Sequence, residues 1–223
     1  MATTIKAYKG MGMEGGIARW YDRTTRRDMP EFRTLAARIA ATVPPGGAVL
    51  EVAPGPGFLS IELARRGPSV RAVDISKTFV DIARRNAAAE GAPEDINVRF
   101  ELGNASALPV ESNSVDFVVC RAAFKNFSEP VKALAEMRRV VRPGGTALVI
   151  DLRRDVRVSE IGRYIDGLGV NLFNRVFMRL AFRHMLIKRA YMLEEMRRMA
   201  IEAGWTEPRI DGSAVGFEAW LKK

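Results

Sequence analysis

The stretch Val49-Leu50-Glu51-Val52-Ala53-Pro54-Gly55-Pro56-Gly57-Phe58 decides the fold. A short apolar run ends in an acid and a turn of small residues, and a helical pattern then runs from Phe58 to Arg66. Strand, glycine turn and helix in that order open a nucleotide-binding α/β unit. Gly55 and Gly57 have no Cβ, so a ligand can lie against the backbone there. A pyrophosphate would need N–H donors from the loop. Pro54 and Pro56 have none. The dinucleotide pattern Gly-x-Gly-x-x-Gly also fails in both registers, with Phe58 or Ser60 where its last glycine belongs. Glu51 adds a negative charge that repels phosphate and attracts a cation.

The loop therefore suits an adenosine ligand with a positively charged, phosphate-free arm, and S-adenosylmethionine has that chemistry. Further along, Val70 to Val73 reads as a second strand ending in Asp74, whose carboxylate can accept hydrogen bonds from a ribose diol. Ser76 caps a helix to about Glu90. Phe100 to Leu102 is a third strand, followed by Gly103-Asn104-Ala105-Ser106-Ala107-Leu108-Pro109. Val115 to Cys120 is a fourth strand, and Thr146 to Leu152 a fifth after the turn Arg142-Pro143-Gly144-Gly145.

With these motifs in order, the chain resembles the class I S-adenosylmethionine-dependent methyltransferases, most closely the small-molecule branch typified by ubiquinone and menaquinone biosynthesis. The resemblance is clear from Ala48 to Leu152 and looser toward the chain end. It implies a Rossmann-like, seven-stranded, mostly parallel α/β sheet with helices on both faces, an antiparallel last strand and a helical lid insertion. It also implies that Glu51 lies near the methionine ammonium, that Asp74 meets the ribose, and that Asn104 stands where an aspartate often meets the adenine amino group. Ala53 occupies a position that is usually glycine. The candidate cofactor set is Tyr21, Glu51, Ala53, Gly55, Gly57, Asp74, Ile75, Asn104, Ala105 and Arg121.

The 223 residues are expected to form one domain: an N-terminal helical cap (1–43), a cofactor core (44–152), a helical lid insertion (153–190), and a last helix with the final strands (191–223). Apolar content of 48% and charged content of 27% are ordinary for a globular protein. A single cysteine, Cys120, excludes an internal disulfide and makes a reducing, cytoplasmic setting the expectation. No apolar run reaches membrane-spanning length and no signal peptide is evident. The net charge of +9 fits either a basic, soluble surface or a partner-binding one. Nucleic acid as substrate is disfavoured: Arg121-Ala122-Ala123-Phe124 stands where base-methylating relatives carry Asn/Asp-Pro-Pro-aromatic.

Met1 to Glu14 is expected to be mobile, with helices at Ile17–Tyr21 and Glu31–Thr42. Trp20-Tyr21-Asp22 is the candidate cover for the cofactor, with the Tyr21 hydroxyl donating to the methionine carboxylate; the alternative is that Trp20 and Tyr21 pack the helix to the core. Past the fourth strand, Phe124 and Phe127 can wall an acceptor pocket that Lys125 and Asn126 orient, because strand ends at this edge line the ligand crevice. The competing readings are a solvated loop charge for Lys125 and a structural ion pair for Arg121.

Residues 153–191 carry a helix at Ser159–Leu168 and a second at Asn171–Arg189, with Arg175, Arg179 and Arg183 on one face and no acid over 171–190. This helix reads as a solvated cap, as a lid reading an anionic or partly apolar acceptor, or as a peripheral membrane or partner helix. His184, the only histidine, is a candidate base or a packed residue; no ligand spacing points to a metal. Met192 to Ala203 is the last helix, and Trp205–Ile210 and Phe217–Leu221 the final strands around the turn Asp211-Gly212-Ser213.

The expected reaction is direct in-line displacement of the sulfonium methyl by a small-molecule acceptor. Lys125, Asn126, His184, Tyr164 and Tyr191 are the candidates for orienting the acceptor or taking its proton. A nicotinamide oxidoreductase is opposed by the two prolines and by the absence of a Tyr-x-x-x-Lys pair. A non-catalytic protein retaining the cofactor fold is the other alternative.

Overall fold

The computed structural model describes residues 8–9, 12–89, 97–167 and 187–223. Seven strands form one sheet in the order β3-β2-β1-β4-β5-β7-β6: β1 (Ala48–Val52), β2 (Ser69–Asp74), β3 (Val98–Leu102), β4 (Val115–Arg121), β5 (Val141–Leu152), β6 (Arg209–Gly212) and β7 (Gly216–Lys222). The β1–β5 strands pair in parallel, and β7 runs antiparallel to both β5 and β6. The chain leaves β1 toward β2 on one side and returns through β4 on the other. That reversal opens a crevice beyond the carboxyl ends of β1 and β4.

Helices cover both faces because the central strands are apolar on both. In β4, Phe117 and Val119 face one layer while Val118 and Cys120 face the other. The first layer holds α2 (Met29–Ala40), α3 (Phe58–Ala64) and α4 (Lys77–Ala89), packed through Leu35, Ile39, Leu59, Leu63 and Val80. The second holds α5 (Pro130–Val140) and the last helix, α7 (Leu193–Glu202), through Leu134, Met137, Met196 and Ala200. Beyond the sheet, α1 (Gly15–Thr25) lays Ala18 against Phe79 and Ile82 of α4, and α6 is Val158–Gly167. Ser76 caps α4 as expected, its Oγ accepting the Phe79 N–H at 3.1 Å.

Three expectations change. Strand pairing in β5 begins at Val141, opposite Val115, and Arg142-Pro143-Gly144-Gly145 bulges before Thr146 pairs with Phe117. Gly144 there has φ +82, and Pro143, lacking an N–H, is tolerated in a bulge. Trp205 lies outside the strands: it is fully buried beside α5 and donates its indole N–H to the Leu134 carbonyl at 3.2 Å. The final turn therefore falls at 213–215 rather than at Asp211-Gly212-Ser213. The described part of the N-terminus is tied down, not free, as the site shows. No described helix is long and apolar enough to cross a membrane.

Candidate cofactor and acceptor site

The loop after β1 is built by three left-handed residues before the helix. Ala53 has φ +58 and Gly55 φ +56, and Gly57, with φ +83, leads into α3. A Cβ on Gly57 would meet Ala83 and Phe100 at 2.8 Å, so glycine is required there by packing. A Cβ on Gly55 would meet nothing nearer than Tyr21 and Phe79 at 3.9 and 4.0 Å, so this side of the loop stays open.

The loop N–H groups are already engaged. Ala53 donates to the Val73 carbonyl at 2.8 Å, Gly55 to Asp74 Oδ2 at 3.0 Å, and Gly57 to the Pro54 carbonyl at 3.1 Å. In the first turn of α3, the hydroxyl of Ser60 donates to the Glu51 carboxylate, which places that negative charge beside the helix N-terminus. Burial pushes the Glu51 carboxyl up to about 7, against the opposing hydrogen bond from Ser60. A cationic ligand group beside it would favour the charged form.

Asp74 ends β2 as expected and is buried. It accepts N–H bonds from Gly55 at 3.0 Å and Ser76 at 2.8 Å, and burial still raises it to about 6. The N-terminal segment crosses beside it. Ser76 Oγ donates to the Met13 carbonyl at 2.8 Å, and Glu14 accepts from the Thr78 N–H at 3.1 Å and from its hydroxyl. Tyr8 then bridges to Phe127, and the Lys9 N–H donates to the Asn126 carbonyl at 2.6 Å. These contacts hold Met13 and Glu14 beside the start of α4, and Tyr8 and Lys9 on the loop after β4.

Tyr21 packs beside the glycine loop, edge-on to Phe79 with ring centroids 5.8 Å apart. Trp20 is 55% exposed on the opposite side of α1, neither cover nor core. Ile75 is 40% exposed directly after Asp74, which leaves an apolar surface at the crevice edge. Ala105 packs on the core. Asn104 Oδ1 accepts the Ser106 N–H at 3.0 Å, which holds the turn and leaves the oxygen's second lone pair and the amide nitrogen for other partners.

Lys125, just past β4, departs from both readings given for it, and Arg121, the last residue of β4, makes the ion pair that is one of its two. Lys125 is buried, its Nζ 2.9 Å from Asp151 Oδ1 and also donating to the Ala122 carbonyl, while its own N–H donates to Asp151 Oδ2 at 2.8 Å. It is neither a solvated charge nor a free amine facing an acceptor. Arg121 pairs with Glu31 at 2.9 Å and stacks over Phe32 at 4.4 Å from the ring centre, the structural ion pair of its competing reading, and its charge also acts on Glu51. Asn126 stays half-buried, with its backbone carbonyl accepting the Lys9 N–H. Phe124, Phe127 and Tyr191 form an aromatic wall, Phe124 lying 5.5 and 5.6 Å from the other two ring centres. Lys9 Nζ donates to the Tyr191 hydroxyl at 2.7 Å.

Residues 168–186, which include His184 and the arginines at 175, 179 and 183, lie outside the described residues. The sequence reading missed Ser60, Asp151, Glu14 and Lys9. Asp151 carried a signal, since it ends β5 as Glu51 and Asp74 end or nearly end β1 and β2. The others act across the chain and carried none.

The family model described as "Methyltransferase domain" matches residues 50–149. Over 156 residues the chain is 36% identical to a demethylmenaquinone methyltransferase of Deinococcus radiodurans, covering 69% of this chain and 56% of the relative. A ubiquinone/menaquinone biosynthesis C-methyltransferase of Hahella chejuensis is 36% identical over 112 residues, covering 49% and 44%. The chain spans about half the length of the curated relatives it matches. A candidate S-adenosyl-L-methionine-dependent methyltransferase of Methanococcus maripaludis superposes with a TM-score of 0.75 at 21% identity, over 98% of this chain and 97% of that one. The strand order and these matches agree: residues 50–149 match a methyltransferase domain, and the fold is the one seen in S-adenosylmethionine-dependent methyltransferases.

Proposed function

We propose that the protein transfers a methyl group from S-adenosylmethionine to a small, flat, partly apolar acceptor of the reduced-quinone type. One observation carries the cofactor half of this reading. The loop offers a ligand two buried carboxylates and an open backbone face, while its N–H groups at Ala53, Gly55 and Gly57 are spent internally. Such a site welcomes a ribose and a cationic arm and rejects a pyrophosphate, which also argues against the nicotinamide alternative. When bound, S-adenosylmethionine supplies a methyl group already activated as a sulfonium.

The chain's own part is to hold, orient and exclude water. Asp74 accepts the ribose hydroxyls, Glu51 lies toward the ammonium, and the free hydroxyl of Tyr21 can donate to the carboxylate. Tyr191, the partly exposed member of the aromatic cluster with the buried Phe124 and Phe127, offers a ring to an aromatic acceptor, and the name of the Deinococcus relative supports a quinone-like one. A quinol must lose a hydroxyl proton as its ring attacks. That proton passes to water at the crevice, and Tyr191, whose oxygen accepts a hydrogen bond from the Lys9 ammonium, is the candidate to orient the acceptor oxygen with its own O–H. The single, buried Cys120 fits a reducing cytoplasm.

The test is transfer of labelled methyl to reduced and oxidised naphthoquinones. Transfer to the reduced form alone, with kcat lowered about 100-fold in Tyr191→Phe, is expected. Turnover on amines but on no quinol would overturn the acceptor class. Cofactor binding without turnover on any acceptor would favour the non-catalytic alternative.

A further inference from the structure

The outer face of α1 has no role in the site, yet its composition is specific. The inner face, with Ala18, Tyr21 and Thr25, packs toward α4 and the glycine loop. The opposite stripe carries Gly16, Arg19, Trp20 and Arg23, continued one turn on by Arg27, and all five are exposed. Residues three and four apart share a helix face, so the three arginines flank a single indole. Arg19 and Arg23 make no ion pair among the described residues, and Arg27 has only Asp28 at 3.7 Å. No acid lies within the stripe, and Asp22 is turned toward Asn86, bonded at 3.0 Å.

We propose that this stripe is a docking surface for an anionic phospholipid bilayer, on which α1 lies flat. An exposed tryptophan on a convex helix is suited to headgroup depth, where its ring is in apolar surroundings and its N–H stays wet. Guanidinium groups on either side match lipid phosphates, and each basic residue near an anionic surface strengthens partitioning about fivefold. The occupant is a membrane rather than a nucleic acid, because the face is a ridge with one aromatic and no groove to track a backbone. Docked this way, the helix that roofs the cofactor loop rests against the bilayer, which brings the crevice to a lipid-borne acceptor. The inference stands on α1 alone and does not need the acceptor to be a quinol.

The full chain is sedimented with vesicles of phosphatidylcholine, alone or mixed with phosphatidylglycerol. Trp20 emission is followed in parallel, since Trp205 is buried and Trp220 is partly covered. Co-sedimentation with the anionic vesicles only, with a blue shift, is expected. Trp20→Ala and the pair Arg19→Glu, Arg23→Glu should each lower partitioning about tenfold or more while S-adenosylhomocysteine still binds. Three results overturn the proposal: wild-type protein left in the supernatant with both vesicles, variants that bind vesicles as well as wild type, or single-stranded RNA binding lost in the variants where no vesicle binding existed. Because homocysteine-compound binding and methyl transfer are read separately, failure here is distinguishable from failure of the methyltransferase reading.

Discussion

A carboxyl group that burial raises to about 7, as at Glu51, holds its proton more tightly in the folded chain than in the unfolded one. Its contribution to stability is therefore complete below the unfolded value near 4.5 and is lost as pH rises through about 7. Asp74, raised to about 6 by burial, adds a loss of the same sign. Without ligand, wild-type protein should lose about 2 kcal/mol more than Glu51→Gln between pH 5.5 and 7.5, measured by urea unfolding of both. Parallel curves would contradict the burial of an ionisable Glu51. The neighbouring Ala53 shows what was legible and what was not. Its departure from glycine was plain in the sequence, but only the φ of +58 shows that it keeps the left-handed conformation, at a cost of about 1–2 kcal/mol. The acids of the site were legible because each ends or nearly ends a strand. Ser60, the partner that bonds Glu51, and the further acid Glu14 were not, because they arrive through tertiary contacts.

Strands and helices were legible from apolar alternation and punctuation, as in Val115 to Cys120 and the Pro130 start of α5. Side-chain direction off those elements was not. Lysine is seldom buried, so Lys125 read as a group orienting the acceptor or, failing that, as a loop charge; its partner Asp151 comes from β5, twenty-six residues on. Trp205 read as a strand residue because aromatic residues favour strands, yet its burial is set by α5. The Lys125–Asp151 pair locks the carboxyl ends of β4 and β5 beneath the aromatic wall. Lys125→Ala leaves Asp151 buried and unpaired, so it should cost about 3–5 kcal/mol in urea unfolding, and the double variant with Asp151→Ala should cost less than the sum of the two single changes. A loss below about 1 kcal/mol for Lys125→Ala would mean that water reaches Asp151 and the pair is not structural.

Across the whole molecule, a chain of net charge +9 gathers Glu14, Glu51 and Asp74 around one loop. The surplus of positive charge lies elsewhere, including the outer face of α1. That separation makes the crevice selective for a cationic, phosphate-free ligand in an otherwise basic protein. The topology places both acids and the aromatic wall at the same carboxyl edge of the sheet, where β1 and β4 diverge. The most direct measurement is calorimetric titration of the purified chain with S-adenosylhomocysteine, with NADH in parallel and Asp74→Asn as control. Saturable binding of the homocysteine compound, weakened at least tenfold by Asp74→Asn, and no heat with NADH is the predicted result. Binding of NADH alone would contradict it, because a pyrophosphate would then be held by a loop whose N–H groups are already taken.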